Sequence, residues 1–341
     1  MRLTVEPITL NLKTPFRIAH GTSVARHNVL VHLGDSVGEG ALAPHYGYSQ
    51  ADVVAYLQGL DVDELLGGDP LALEDSLDRL PPGPPPARAA IDIALHDHWA
   101  RQLDQPLYRL WGLNPMQAPP GSLTIGIVED EDELRRRVRA AANFTILKLK
   151  LGAGDLEADE AIVRVACREK GSDVRLCVDA NSAWQIDEAV RIIPRLAAYD
   201  LLFVEQPIPG TKAEDWHRLR RLLPDGLPPL IADESVQQAR DIPPLAGAVD
   251  GINIKLAKSG GLREARRMIA LARVLNMQVM LGCMTESSVG ITAAAHLAPL
   301  VDFADLDGNL DVVNDPYVGA KMERGRLHLP QEPGLGVSRA F

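Results

Sequence analysis

The sequence predicts an α/β protein, a closed parallel barrel of eight strands preceded by an α+β region. Three observations predict it. Eight short apolar runs recur after residue 120, helix-like segments separate them, and charged residues stand at the C-terminal ends of the runs. The runs are LTIGIV (123–128), TILKLKL (145–151), VRLCVDA (174–180), LLFVEQ (201–206), PLIADE (229–234), GINIKL (251–256), QVMLGC (278–283) and VDFADLD (301–307). Their ends are spaced by 22 to 29 residues, the length that one strand, one loop and one helix require. A doubly wound open sheet is the alternative, but no glycine-rich phosphate loop follows any run.

The first third has a different texture. Residues 2–10 and 27–33 read as strands, GDSVGEG (34–40) as a turn into a third strand, and 50–60 and 70–80 as helices. In PPGPPPARAAIDIALHDHWARQL the proline cluster stops one element and gives the next a stiff entry. Beyond it Ala90, Ile91, Ala94, Leu95 and Trp99 recur at helical spacing. The tail after residue 318 carries no further repeat and is expected to return to the first domain.

Composition narrows the function classes. A chain of 341 residues exceeds one ordinary core, so a large and a smaller domain are expected. The 46% hydrophobic and 24% charged content suits a soluble globular protein. A net charge of -11 without a basic run argues against nucleic acid as a partner. No apolar segment approaches the roughly 20 residues of a membrane span. The start MRLTVEPITLNLKTPF has no basic stretch leading into an apolar run, so no secretory leader is expected. Cys167, Cys177 and Cys283 are odd in number and lack metal-type spacing, which fits a reducing cytoplasm.

The strand ends carry the chemistry. Asp179, Glu205 and Asp233 end three consecutive runs. Neighbouring strands lie roughly 4.8 Å apart, so three inward carboxylates can converge on one cation, and oxygen ligands of this kind suit Mg²⁺. Each acid alone could instead cap a helix N-terminus. Three in succession fit that reading poorly, since the Glu205 of VEQP leads into a loop. Lys148 and Lys150 share one face of the second run, and Lys255 ends the sixth. Strands two and six of an eight-stranded barrel oppose each other, so Lys150 and Lys255 are expected to face one point from opposite sides. That geometry suits removing a proton α to a carboxylate from one face and returning it to the other, with a divalent cation stabilising the enediolate. A lysine acts as a base only when neutral, and Lys148 is expected to help keep Lys150 neutral and to contact the substrate carboxylate. A purely structural ion-pair network is the alternative.

The segments LKLKLG, CVDANSAW, FVEQP, IADES and NIKLAKSGG, in this order, resemble the enolase superfamily, in its muconate-lactonizing-enzyme subgroup. The resemblance spans nearly the whole chain. It implies a modified TIM barrel, (β/α)7β, with an N-terminal α+β capping domain: residues 1–114 as cap, with the tail 318–341 packing back on it, and 115–317 as barrel. It also implies Mg²⁺ on Asp179, Glu205 and Asp233 and an acid/base pair of Lys150 and Lys255; a lysine base with Mg²⁺ is the general pattern of this superfamily.

Members of the subgroup differ in reaction, and FADLDG discriminates among them. Asp305 and Asp307 are two residues apart, so both are expected to face inward as uncompensated carboxylates calling for a cation on the substrate. A dipeptide spans about 7 Å, so its carboxylate could sit on the metal while its ammonium reaches this pair. The D-x-D segment resembles that of dipeptide epimerases of the L-Ala-D/L-Glu type. The same resemblance places Thr124 and Cys283 against the dipeptide. It assigns side-chain specificity to cap loops at 18–26 and 44–48, where His20 is the candidate contact. The acid-specific relatives carry an arginine in the first loop, whereas this chain has His20 and Gly21 there, with Arg17 and Arg26 nearby. Acidic, hydrophobic and other polar side chains all stay open. Racemisation of N-succinylamino acids, o-succinylbenzoate synthesis and muconate cycloisomerisation are the alternative reactions, and a non-catalytic metabolite-binding barrel is the alternative class. Barrels of this kind often assemble as homo-oligomers.

Overall fold

The computed structural model describes residues 2–128, 130–152 and 154–340. The chain begins with a three-stranded antiparallel sheet: β1 (Leu3–Ile18), β2 (Gly21–Leu33) and β3 (Ser36–Gly40). β1 and β2 pair from Leu3↔Leu33 to Asn11↔Ala25, lose register around Pro15, which has no N–H to donate, and resume at Phe16↔Ser23. Both strands therefore run well past the limits read from sequence. The 18–26 region, expected as a loop, is the tip of this hairpin, closing at Ile18↔Gly21.

Helices α1 (Gln50–Gln58), α2 (Val62–Leu66), α3 (Leu73–Asp78) and α4 (Pro85–Gln102) share an apolar core with the sheet, and α5 (Leu107–Leu110) packs on α4. Pro85 opens α4, where its missing N–H costs nothing. The approach of α4 to β3 depends on glycine. A Cβ at Gly38 would lie 1.9 Å from the Ala90 carbonyl oxygen, and one at Gly40 2.6 Å from that of Pro86. Val29, Val31, Leu33, Val53, Leu57 and Ile91 close the core between sheet and helices.

The second unit is an eight-stranded parallel sheet: β4 (Ser122–Ile125), β5 (Ile146–Lys150), β6 (Arg175–Asp179), β7 (Val204–Glu205), β8 (Leu230–Ala232), β9 (Gly251–Ile254), β10 (Gln278–Gly282) and β11 (Phe303–Asp305). All eight coincide with runs read from the sequence. The strands pair in chain order, and a Gly121↔Ala304 bridge brings the two ends together. The connections carry α6 (Glu131–Ala140), α7 (Leu156–Glu169), α8 (Ile186–Leu196), α9 (Ala213–Leu222), α10 (Leu256–Ser259), α11 (Leu262–Val274) and α12 (Ser288–Ala295). Between β8 and β9 the crossover is two 3-10 turns, Ala239–Asp241 and Pro243–Leu245, where paired prolines leave no donors for an α-helix. Among the described residues no helix follows β11 in the ring, so the unit is the capped (β/α)7β barrel.

The pleat explains the layering inside the barrel. Cys177, Phe203 and Ile231 stand two residues before Asp179, Glu205 and Asp233, so each pair shares the inward face. With Met280 these three form an apolar floor beneath the acids. The tail adds β12 (Tyr317–Val318), β13 (Lys321–Glu323), β14 (Arg326–His328) and β15 (Ser338–Arg339). It bonds to the first unit through Leu335 N–H on Asp97 Oδ1 and Leu107 N–H on the Gly334 carbonyl. Among the described residues no helix is long and apolar enough to cross a membrane.

Candidate active site

Parallel register brings the site together at the C-terminal rim of the barrel. Thr124 lies beside Lys148, Lys150 beside Asp179, and Asp179 beside Glu205. Asp179, Glu205 and Asp233 are fully buried, and each offers an oxygen within 4.8 Å of the others. None of them caps a helix; the caps of α8 and α9 are Gln185 and Lys212, which removes that alternative.

All three lysines stand against the acids. Lys150 Nζ donates to Asp179 Oδ2 at 2.5 Å, and Lys255 Nζ donates to Asp233 Oδ2 at 2.6 Å, so the two flank the triad. Lys148, only 1% exposed, places Nζ 2.7 Å from both Asp305 Oδ2 and Glu205 Oε2 and 3.5 Å from Asp179 Oδ2. Burial works against its charge, but Asp305, Glu205 and Asp179 outweigh burial and raise its pKa well above the ordinary lysine value. Its charge is thus engaged by three carboxylates, a set of partners that the sequence reading, which has Lys148 help keep Lys150 neutral and contact the substrate carboxylate, does not include. Lys255 is likewise held charged, burial being outweighed first by Asp233.

A correction concerns the D-x-D pair. Asp305 is compensated: Oδ2 takes Lys148, and Oδ1 accepts from Ser122 Oγ at 2.5 Å and Thr124 Oγ1 at 3.2 Å. Asp307 is different. It accepts the Thr124 N–H at 2.6 Å, and burial, then the Asp305 charge, push its carboxyl up to about 6. One carboxylate of the pair, rather than both, waits for a cation.

Sequence reading missed several members of the site. Lys258, one turn after Lys255, donates to Asp233 Oδ1 at 2.5 Å and to the Asn253 carbonyl at 3.0 Å. Asn253 Nδ2 donates to Glu205 Oε1 at 2.6 Å, and Asn181 Nδ2 donates to both Asp179 and Glu234. Gln206, held at φ 34, bonds the Asp233 N–H through Oε1. The NIKLAK motif contains Asn253 and Lys258, but the shortness of α10, which turns Lys258 inward, does not show in the residue pattern.

The donor set fits a divalent cation. With Glu234, Asp305 and Asp307 added to the triad, six carboxylates face the four ammoniums of Lys148, Lys150, Lys255 and Lys258, an excess of two negative charges. Without further positive charge, burial and then Asp179 push Glu205 up to about 8, and burial and then Asp233 push Glu234 up to about 7. An oxygen-only cluster with excess charge suits Mg²⁺.

The site opens into a cavity of about 470 Å³, within the range of small-molecule pockets. Thr124, Lys148, Lys150, Lys255, Cys283, Asp305 and Asp307 line it, and from the cap so do Phe16, Ile18, Arg26 and His45. Cys283 is half-buried, and burial pushes its thiol well above the ordinary value, so it is a neutral wall residue. His20 is exposed at the hairpin tip, where its ring stacks at 4.7 Å on His45; of the two, His45 is the one that faces the cavity.

Fold and site together define a capped barrel that holds an acidic metal-type cluster between opposed lysines. Residues 2–112 match the mandelate racemase / muconate lactonizing enzyme N-terminal domain, and residues 130–339 match the enolase C-terminal domain-like family. The chain belongs to this mandelate racemase / muconate lactonizing enzyme family of the enolase superfamily. It is 38% identical to the L-Ala-D/L-Glu epimerase of Bacteroides thetaiotaomicron over 99% of this chain and 88% of that protein. It is 36% identical to the hydrophobic dipeptide epimerase of Roseobacter litoralis over 98% of each. Its fold matches the dipeptide epimerase of Enterococcus faecalis, solved with Mg and L-Leu-L-Tyr, with a TM-score of 0.88 at 32% identity over 99% of both chains.

Proposed function

We propose that the chain is a Mg²⁺-dependent dipeptide epimerase that inverts the α-carbon of the C-terminal residue of a dipeptide. The observation that carries this reading is the pair Lys150 and Lys255 on either side of a buried acidic triad, with the charge-hungry Asp307 at the far rim. The relatives support it. One acts on L-Ala-D/L-Glu, another on hydrophobic dipeptides, and a homologous structure holds Mg and a dipeptide.

Asp179, Glu205 and Asp233 would hold the cation, whose charge stabilises the negative charge that builds on the substrate carboxylate as the α-proton leaves. One lysine, as the neutral amine, takes the α-proton from one face and leaves an enediolate. The other, as the ammonium, protonates the same carbon from the opposite face. Each turnover exchanges the protonation states of the two lysines, which then re-equilibrate with solvent. Lys148 fixes Glu205 and Asp305 by ion pairs and presents positive charge to the cavity. Asp307 receives the substrate ammonium, with Asp305 and Thr124 aligning it.

The cap lines the cavity with Leu12, Phe16, Ile18 and Ala43 beside Thr14, Arg26 and His45, a mixed wall that accommodates apolar and polar side chains on the epimerised residue. Arg26 donates to Ser23 Oγ. We take residues 1–114 with the tail 318–341 as the cap and 115–317 as the barrel. A cytoplasmic site of action fits the three free cysteines. A mass-spectrometric screen of L-Ala-L-X and X-L-Ala dipeptides in D₂O tests the function. Deuterium in the C-terminal residue supports it, and an unlabelled library rejects it.

A further inference from the structure

We propose that Asn28 and Glu39 are positioning residues for the substrate cavity, a buried latch between cap and barrel that sets where the cavity wall 283–285 stands. The inference rests on the epimerase reading above and assigns a role within it.

The two residues share one face of the cap sheet. β2 pairs Leu30 with Glu39 of β3, and Asn28, two residues before Leu30, points the same way. Both side chains are buried, at 0% and 2% exposed. Each bond of the Asn28 amide goes to a different segment. Nδ2 donates to Glu39 Oε1 at 2.8 Å and to the Thr285 carbonyl of the barrel at 3.0 Å, while Oδ1 accepts the Leu42 N–H at 3.0 Å.

Glu39 reaches the barrel directly. Its two oxygens accept the Ser287 N–H at 3.0 and 3.1 Å, and Oε2 also takes the Ser287 hydroxyl at 2.6 Å and the Gly290 N–H at 3.0 Å. The carboxylate thus lies on the first turn of α12, where the helix dipole favours negative charge. Gly290 makes the room, since a Cβ there would lie 2.2 Å from Glu286 Oε2 and 3.1 Å from Glu39 Oε2.

These bonds land on the segments that shape the cavity. β10 ends at Gly282, and 283–287 is neither strand nor helix. Its place therefore depends on contacts such as these and the Met284 N–H on Glu286 Oε1 at 2.8 Å. Cys283, Met284 and Thr285 line the cavity from the barrel, and Ala43 and His45, just beyond Leu42, line it from the cap. The Asn28 amide spaces the two walls. The barrel wall in turn lies hard against the ammonium site: a Cβ at Gly308, next to Asp307, would be 2.0 Å from the Met284 carbonyl oxygen. Lys150, Lys255 and the acidic triad bond to one another and not to the latch. Loss of the latch displaces the walls that hold the substrate and leaves the proton-transfer groups in place, so it acts on KM rather than on kcat.

Steady-state epimerisation of L-Ala-L-X with Mg²⁺, X being Glu, Leu and Lys, tests this. Asn28→Ala removes the spacer. Glu39→Gln keeps the shape, but whichever way its amide is turned, an NH₂ group meets the donors that one carboxylate oxygen accepts. Gln50→Ala is the control, because it gives up bonds to the Ile8 and Asn28 carbonyls, both inside the cap. Asn28→Ala and Glu39→Gln should each raise KM about tenfold for the best probe, the size of one hydrogen bond, with kcat changed less than about twofold. Gln50→Ala should lower the melting temperature with KM unchanged. If Asn28→Ala does not fold, the isosteric Glu39→Gln decides alone. Unchanged KM in the folded latch variants, or a KM raised as much by Gln50→Ala as by them, overturns the inference. A wild-type protein that epimerises no probe overturns the epimerase reading itself, and shows it before any latch variant is made.

Discussion

Replacing Asp307 with Asn separates stability from function at one residue. The Asp307 carboxyl is pushed from an ordinary 3.8 up to about 6, first by burial and then by Asp305. A rise of about two units is worth about 3 kcal/mol, and partial solvent access and the Thr124 N–H bond reduce this to about 1–3 kcal/mol. The shift is upward, so the fold is favoured by the protonated acid. That contribution is fully present below about pH 4 and is lost as pH rises through about 6. At pH 8 the wild type therefore carries a half-buried negative charge that Asp307→Asn does not. The variant should melt several degrees higher at pH 8 without dipeptide, and the difference should shrink toward pH 5. Its kcat/KM for the preferred dipeptide should fall roughly 10- to 100-fold, mostly through KM, because a charged hydrogen bond to the substrate ammonium is worth about 1.5–3 kcal/mol. Thermal melts at the two pH values and steady-state kinetics decide it. A variant less stable at every pH, with KM unchanged, would mean that Asp307 is only a turn acid before Gly308.

Mg²⁺ should raise the melting temperature of the wild-type protein, by about 2.7 kcal/mol of stability at a hundred times its dissociation constant, and Glu205→Gln should abolish that response in calorimetry. Lys148→Met should cost about 3–5 kcal/mol in denaturant titration, because it leaves Asp305, Glu205 and Asp179 buried without their shared cation. Gly38→Ala, whose new methyl would meet the Ala90 carbonyl at 1.9 Å, should loosen the cap and cost more than about 3 kcal/mol, with the largest loss of hydrogen-exchange protection in β3 and α4.

The barrel is legible in the sequence because its strands are short, apolar and evenly spaced, and because a two-residue period puts Asp179, Glu205 and Asp233 above Cys177, Phe203 and Ile231. The acids and the opposed lysines are fixed by that period and by strand order alone. Lys148 is not, since its role depends on Asp305, which lies on β11 and reaches it only when the two ends of the sheet meet. The hairpin arm of β1 and β2 is hidden for another reason. Beyond residue 10 none of the β1 residues is fully buried, so burial does not impose the alternating apolar pattern that marks the inner strands. It is held instead by hydrogen bonds to a distant loop, such as Thr14 N–H and Oγ1 on Asp311 Oδ2. His45 sits in a short 3-10 turn, Pro44–Tyr46, whose composition carries no period, and only the docking of cap on barrel gives it a place in the cavity.

The central claim is a two-sided proton transfer, and deuterium incorporation measures it directly. Wild-type protein with Mg²⁺ and L-Ala-L-X dipeptides in D₂O should yield the L,D epimer with one deuterium at the C-terminal α-carbon. Lys150→Ala and Lys255→Ala should each abolish inversion while retaining exchange of one epimer only. Inversion that survives the loss of either lysine, or a dipeptide library that acquires no deuterium, would contradict the account.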